Sequence, residues 1–504
     1  MSASGSPARR SELQPVAVVP ILLAAAAAVV VLMIFAGRYG YHRDELYFLV
    51  AARRLAWGYV DQPPFTPLIA RLSEVLAGGS LLALRTFPAL FTAATVVLTA
   101  LCAREMGAGR LGQSASAVAI AASPGVLGAG HLLSTTTPDL TLWIAITLVT
   151  LRILRTQNVR LWVVVGTLVG IGSLNKWTIG FLVIGLLAGV LAGPERRLLA
   201  TPWFLAGVAL AVALWAPDLV WQAGHGWPQL EMMFSIQQQS ADLGASIAWV
   251  PLQFAITGPI ATPLWIAGLL RVFRKEEGHP FRPLGIAYLA LAVPLAIVAG
   301  DKPYYVAAMY MPLAGAGAVP FERWWAQNRG RAKRVAVPLA LGMLTLASLP
   351  IVLPVLPART LADVPLQEVN YDLGEQIGWP TFVAQVGRAW RAIPVEERSR
   401  AIILASNYGE AGAIERYGKD LPRPYSGHNT YWWWRTPPRD TAVILVVGLF
   451  DEGYLGRFFE DVKRIGRIDN GLGVQNEEQG AGIWVCRKPR EPLPQMWPEL
   501  RHYD

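Results

Sequence analysis

Charge is scarce in this chain. Only 16% of its 504 residues are charged, against about 25% in ordinary globular proteins. Cysteine is scarcer still: Cys102 sits in an apolar run and Cys486 in a polar C-terminal region. Neither a disulfide framework nor a thiolate metal site fits two such residues. Helix-turn-helix, zinc-finger and RNP patterns are missing, so nucleic acid is excluded as a partner despite a net charge of +9. No GxGxxG, P-loop or internal repeat is present either. What the chain has is hydrophobic residues, 53% of the total, with a mean hydropathy of +0.37. They gather in long uncharged blocks, which excludes a disordered chain or a cytosolic enzyme and implies a polytopic membrane protein.

A helix that crosses a bilayer needs roughly 20 mostly apolar residues. Apolar runs at 13–37, 86–103, 111–138, 140–151, 161–175, 177–194, 198–217, 243–270, 283–300, 303–321 and 335–358 predict about 11 transmembrane helices. The first is too long for a signal-peptide core and has no clear cleavage site, so it reads as a retained helix. Runs 161–175 and 177–194 count separately, because one helix over both would be about 50 Å long. Ser173-Leu174-Asn175-Lys176 marks the break.

Sidedness follows from basic residues, which collect in cytoplasmic loops. With a cytoplasmic N-terminus, Arg9–Arg10, Arg104, Arg110, Arg152–Arg160, Arg196–Arg197, Arg271–Arg282 and Arg323–Arg334 all fall inside. The external loops after the first offer only Lys176 and Lys302, and the odd number of spans places everything after residue 358 outside. That first loop, residues 38–85, breaks the rule with six arginines, which points to an anion-binding task.

Two domains are expected. Residues 1–358 form an all-α transmembrane domain. Residues 359–504 form a soluble extracytoplasmic α/β domain, with strands at 401–405, 442–448 and 482–487 and helices at 381–392, 409–417 and 453–463.

Candidate chemistry clusters on the external side. Asp44-Glu45 lies just past the first helix among Tyr39, Tyr41, Tyr47 and Phe48. Such a pair serves as a general base or a cation ligand, or simply favours a helix N-terminus. Asp61 and Gln62 precede Pro63-Pro64, which stiffens the backbone towards a site or merely connects elements. Asp139 enters an apolar helix at some cost, marking either function or a helix start after Pro138. His131 fits a hydrogen-bonded structural role better than a catalytic one. Lys176 and Lys302 each interrupt apolar sequence, either snorkelling to the interface or binding an anion. Residues 425–435, YSGHNTYWWWR, suit sugar stacking or a membrane interface equally.

The ordered motifs YHRDELYF (41–48), GYVDQPPFTPLIARL (58–72), GHLLSTTTPDL (130–140), GSLNKWTIGF (172–181) and DKPYYVAAMYMPLAGAGA (301–318) carry a resemblance. NYGEAGAIERYG (407–418) and SGHNTYWWWR (426–435) extend it into the C-terminal region. The chain resembles bacterial glycosyltransferases of family 39, the dolichyl-phosphate-mannose-protein mannosyltransferase-like proteins of GT-C fold, and is similar to the lipid A aminoarabinose transferases. The resemblance implies a bacterial inner-membrane enzyme. It would transfer sugar from a polyprenyl-phosphate donor to a glycan, lipid or protein hydroxyl on the extracytoplasmic face, with inversion. It implies Asp44, beside Glu45, as general base and Asp139 as a second acidic position. Lys176, Lys302 and Arg43 would contact the donor phosphate; Tyr41, His131, Asp61, Gln62, Tyr304 and Tyr305 would line the substrate site. No cofactor is required, though a divalent cation on Asp44 and Asp139 stays open. Better-known relatives carry Lys-Pro-Pro where this chain has Asp61-Gln62-Pro63-Pro64, and eukaryotic ones carry a β-trefoil instead of an α/β domain. A transporter or flippase of lipid-linked sugars is the alternative, and an envelope scaffold is a weaker one.

Overall fold

The computed structural model describes residues 13–239, 243–274, 279–298, 303–328 and 330–503. Fifteen helices lead the chain: α1 Val18–Phe35, α2 Arg43–Ala52, α3 Phe65–Ala77, α4 Leu81–Glu105, α5 Arg110–Ala121, α6 Pro124–His131, α7 Thr136–Thr156, α8 Trp162–Ser173, α9 Ile179–Leu191, α10 Pro202–Gly224, α11 Pro228–Gln239, α12 Leu243–Val272, α13 Arg282–Val298, α14 Ala307–Gln327 and α15 Arg331–Val352.

Among the described residues, six helices are long and apolar enough to cross a membrane: α1, α4, α7, α10, α12 and α15. Helices α8, α9 and α13 are apolar but shorter. The run 111–138 is divided, because Ala122 and Ser123 separate α5 from α6 and Pro124 starts the second helix. The expected break between 161–175 and 177–194 is present as the turn between α8 and α9. Small residues let the bundle close tightly, as is usual where no hydrophobic force drives helices together in lipid. A Cβ on Gly268 of α12 would lie 1.8 Å from the Leu313 carbonyl oxygen of α14, and one on Gly317 would lie 1.9 Å from that of Leu264.

The C-terminal region holds a five-stranded sheet of order β2-β1-β3-β5-β4. The strands are β1 Ala401–Ala405, β2 Tyr425–Ser426, β3 Val443–Gly448, β4 Phe459–Arg467 and β5 Gly482–Pro489. β1 is parallel to β2 and β3, whereas β5 is antiparallel to β3 and β4. The uniformly apolar β3 is buried at every position, as a central strand covered on both faces must be. Helices Tyr408–Tyr417 and Trp379–Ala392 pack on the sheet.

One expectation is corrected here. Residues 453–463 do not form one helix: the helix stops at Gly456 and β4 begins at Phe459. Pairing of Asp461, Lys463 and Arg464 with β5 overrides their helix-like charge density. The result is a charged edge strand, a form that discourages pairing with other chains.

The membrane and C-terminal parts share a core. Leu46, Tyr47, Leu49 and Val50 of α2 pack in one buried cluster with Ile403, Leu445, Val447, Ile483 and Val485 of the sheet. Close approach depends on two glycines. A Cβ on Gly409 would lie 2.7 Å from Arg43 Cβ, and one on Gly412 would lie 3.0 Å from the Leu46 backbone.

Candidate active site

Successive residues of a helix point about 100° apart, so the polar run His42-Arg43-Asp44-Glu45 sends its side chains in different directions. His42 is the N-cap. Its Nδ1 accepts from the Asp44 N–H at 3.2 Å, and Glu45 Oε2 accepts from the His42 N–H at 2.9 Å, a capping box.

Glu45 faces inward and is fully buried. It accepts a bidentate pair from Arg85, at 3.0 Å from Nε and 2.8 Å from Nη2, and a third bond from the Leu133 N–H. Arg85 also donates to the carbonyls of Ala36 and Gly40 and to Gln376 Oε1, while His131 Nε2 lies 3.2 Å from its Nη1. Glu45 and His131 are therefore engaged in a buried knot joining α1, the first loop, α4 and the C-terminal region. Tyr41 likewise donates to the Gly79 carbonyl and accepts from Arg416. Arg43 turns to the other side, over the Tyr408 ring and onto Glu477. None of these four side chains lines the cavity that Asp44 faces.

That cavity encloses about 850 Å³ between the bundle and the C-terminal region. Asp44, Asp61, Gln62, Lys176, Tyr304 and Tyr305 all line it. So do His42, Asp372, Tyr408 and Asn429. Asp44 Oδ1 accepts from the Tyr408 hydroxyl at 2.8 Å, and its Oδ2 is 3.9 Å from His42 Nδ1. His42 Nε2 is 3.5 Å from Asp372 Oδ1. Burial alone would lower the His42 pKa, but Asp44, Asp372 and Glu45 outweigh it and raise it above the usual imidazole range. Asp61 accepts from Tyr47 at 2.6 Å and from Thr430 at 3.3 Å. Burial pushes its carboxyl up to about 6, against the lowering effect of the Tyr47 hydrogen bond. Gln62 is 2% exposed, and its amide makes no hydrogen bond among the described residues.

Lys176 sits on the turn between α8 and α9 with Nζ 5.9 Å from the Tyr304 ring centroid. That turn is clamped. Leu174 O accepts from the Phe65 N–H, Asn175 bonds Thr66 and the Thr135 carbonyl, and Thr178 donates to Asp139 Oδ2 at 2.9 Å. Asp139 Oδ1 accepts from Trp143. Asp139 thus lies behind the cavity wall and holds the turn that carries Lys176. Lys302 falls outside the described residues.

The cavity has two characters. Asp44, Asp61, Asp372, His42 and Lys176 supply its charged groups; Phe48, Phe181, Ile184, Leu230, Met233 and Leu295 supply apolar surface. Trp177 and Trp215 add indole faces, both donating to Asp218 Oδ2 at 3.0 Å. Sequence reasoning missed Asp218, because a carboxylate at the edge of run 198–217 reads as the end of a span. Tyr408 was legible only as part of NYGEAGAIERYG, not as a partner of a carboxylate 364 positions earlier.

The fold is similar to those of two solved membrane proteins. Over 92% of this chain it matches the crystal structure of ArnT from Cupriavidus metallidurans bound to undecaprenyl phosphate, at a TM-score of 0.59 and 14% identity, covering 97% of that protein. Arabinofuranosyltransferase AftD from Mycobacteria matches at a TM-score of 0.50 and 14% identity, over 94% of this chain and 40% of that one. Residues 61–221 match the family model described as dolichyl-phosphate-mannose-protein mannosyltransferase. In sequence, the undecaprenyl phosphate-alpha-4-amino-4-deoxy-L-arabinose arabinosyl transferase 1 of Pseudomonas fluorescens (strain Pf0-1) is 26% identical over 327 residues, 59% of this chain and 55% of that protein. The chain thus spans about half the length of the curated relative it matches.

Proposed function

We propose that the protein transfers a sugar from a polyprenyl-phosphate donor to an acceptor hydroxyl on the extracytoplasmic face of a bacterial inner membrane. The observation that carries this reading is the mixed lining of the cavity, in which carboxylates and a lysine stand together with apolar side chains. A lipid phosphate sugar combines the same two kinds of surface. The donor class comes from the relatives, whose names specify undecaprenyl phosphate and dolichyl phosphate.

In this mechanism Asp44 removes the proton from the acceptor hydroxyl. An ionised carboxylate offers about four acceptor sites, so the bond from Tyr408 orients it and leaves capacity for substrate. The acceptor oxygen attacks the anomeric carbon, the bond to the lipid phosphate breaks, and the configuration inverts. Lys176 meets the charge that grows on the departing phosphate. Lys302, two positions before Tyr304, is assigned as the second cation. Arg43 is not assigned to the phosphate, because Glu477 already holds it. Phosphate leaves readily, so the step needs neither a general acid nor a metal. Asp61, Gln62, Tyr305 and the two indoles are assigned to the sugar, whose hydroxyls and apolar faces suit them.

Incubating the purified protein with a panel of polyprenyl-phosphate sugars, with mass spectrometry of lipid and glycan products, tests the reading. Asp44→Asn is expected to slow release of polyprenyl phosphate by about 10²- to 10⁴-fold without changing Tm. Normal turnover in that variant would remove Asp44 from the role. Movement of intact donor across vesicles, with no product from any member of the panel, would replace the enzyme with a transporter.

A further inference from the structure

Outside the cavity, on the far side of Arg43, four glutamates lie close together in the C-terminal region. Glu375, Glu410 and Glu478 are 0–3% exposed, and Glu477 is part-buried. One carboxylate oxygen each from Glu375, Glu477 and Glu478 lies within 4.8 Å of the others. Arg43 is the cation that meets them: it pairs with Glu477 and stands 3.9 Å from Glu375 Oε2. Tyr371 donates to Glu477 Oε2, and Asn407 Nδ2 donates to Glu477 Oε1 and Glu478 Oε1. Four carboxylates against one guanidinium would, when all ionised, carry a surplus of buried negative charge, which is costly unless a cation or bound protons offset it. Independently, Glu478 Oε2 and Glu410 Oε1 are buried and accept no hydrogen bond among the described residues.

We propose that Glu375, Glu477 and Glu478 bind a divalent cation of the calcium type. Oxygens that share a calcium ion each lie about 2.3–2.6 Å from it, so two of them are at most about 5 Å apart, as these are. The donor set is entirely carboxylate and contains no imidazole or thiolate, which selects a hard cation over zinc. Glu477 keeps 23% of its side chain exposed and gives the ion a route in. The ion ties the 475–479 segment to the short helix Tyr371–Gln376, which also carries Asp372. It thereby supports the wall of the cavity from behind without touching substrate, and it stands independently of the transfer reaction.

The test uses the full-length protein in detergent, stripped with a chelator and dialysed. Terbium is the probe, its luminescence excited through nearby Tyr371 and Tyr408, with calcium as competitor. Saturable terbium emission displaced by calcium, and a Tm several degrees higher with millimolar calcium, are expected for the wild type. Glu478→Gln and Glu375→Gln should each lose at least tenfold in terbium affinity and respond less to calcium. A Tm indifferent to calcium, with Glu478→Gln more stable than wild type in chelator, would mean that the carboxyls share protons instead of an ion. Terbium affinity unchanged in both variants would place the binding elsewhere. Either result overturns the proposal.

Discussion

At the scale of single residues, one helical turn explains why neighbours in HRDE part company. Asp44 reaches the cavity, Glu45 meets Arg85 in the core, and Arg43 meets Glu477 in the C-terminal region. Asp61 carries a consequence that pH can read. Burial raises its folded-state pKa to about 6, above the value of about 3.9 for a free aspartate. Between those values the folded protein holds a proton that the unfolded chain has lost, so this residue's contribution to stability falls as pH rises from about 4 to 6. Asp61→Asn should flatten that part of the Tm–pH curve, and Tm measured across this window against wild type checks it. Residues whose role depends on charge beside apolar sequence, such as Asp44, Asp61 and Lys176, were legible as candidates. Their partners were not. The Arg85–Glu45 pair and the Tyr408–Asp44 bond join segments far apart in sequence, and no local pattern encodes them.

At the scale of elements, a boundary set by charge was readable: Lys176 and its neighbours divide α8 from α9. The boundary inside run 111–138, where Pro124 opens α6, was not. The three expected strands appear within a residue or two of their bounds, since continuous apolar runs suit a sheet covered on both faces. The edge strand β4 escaped notice, because its identity comes from pairing with β5 and not from its own composition. The contact between α2 and helix Tyr408–Tyr417 rests on small residues. Gly412→Leu should force the two helices apart, costing about 1–3 kcal/mol as an overpacked contact does, and should break the Tyr408–Asp44 bond. Thermal unfolding of the purified variant, together with its rate of sugar transfer, measures both effects.

At the scale of the whole molecule, composition and the distribution of basic residues conveyed a membrane bundle with an α/β appendage. They did not convey that the two halves share buried side chains. The sheet packs against Leu46, Tyr47, Leu49 and Val50, all of which precede it by more than 300 positions in the chain. Residues 359–504 expressed alone should therefore expose an apolar sheet face and aggregate. Adding a peptide of residues 41–54 should improve solubility if the missing helix is the cause, and size-exclusion chromatography distinguishes the outcomes. The same shared core bears on engineering. A chimera that exchanges this appendage for a relative's would have to exchange α2 as well, because the seam between the interchangeable parts runs through the first loop and not along the boundary after the last long apolar helix.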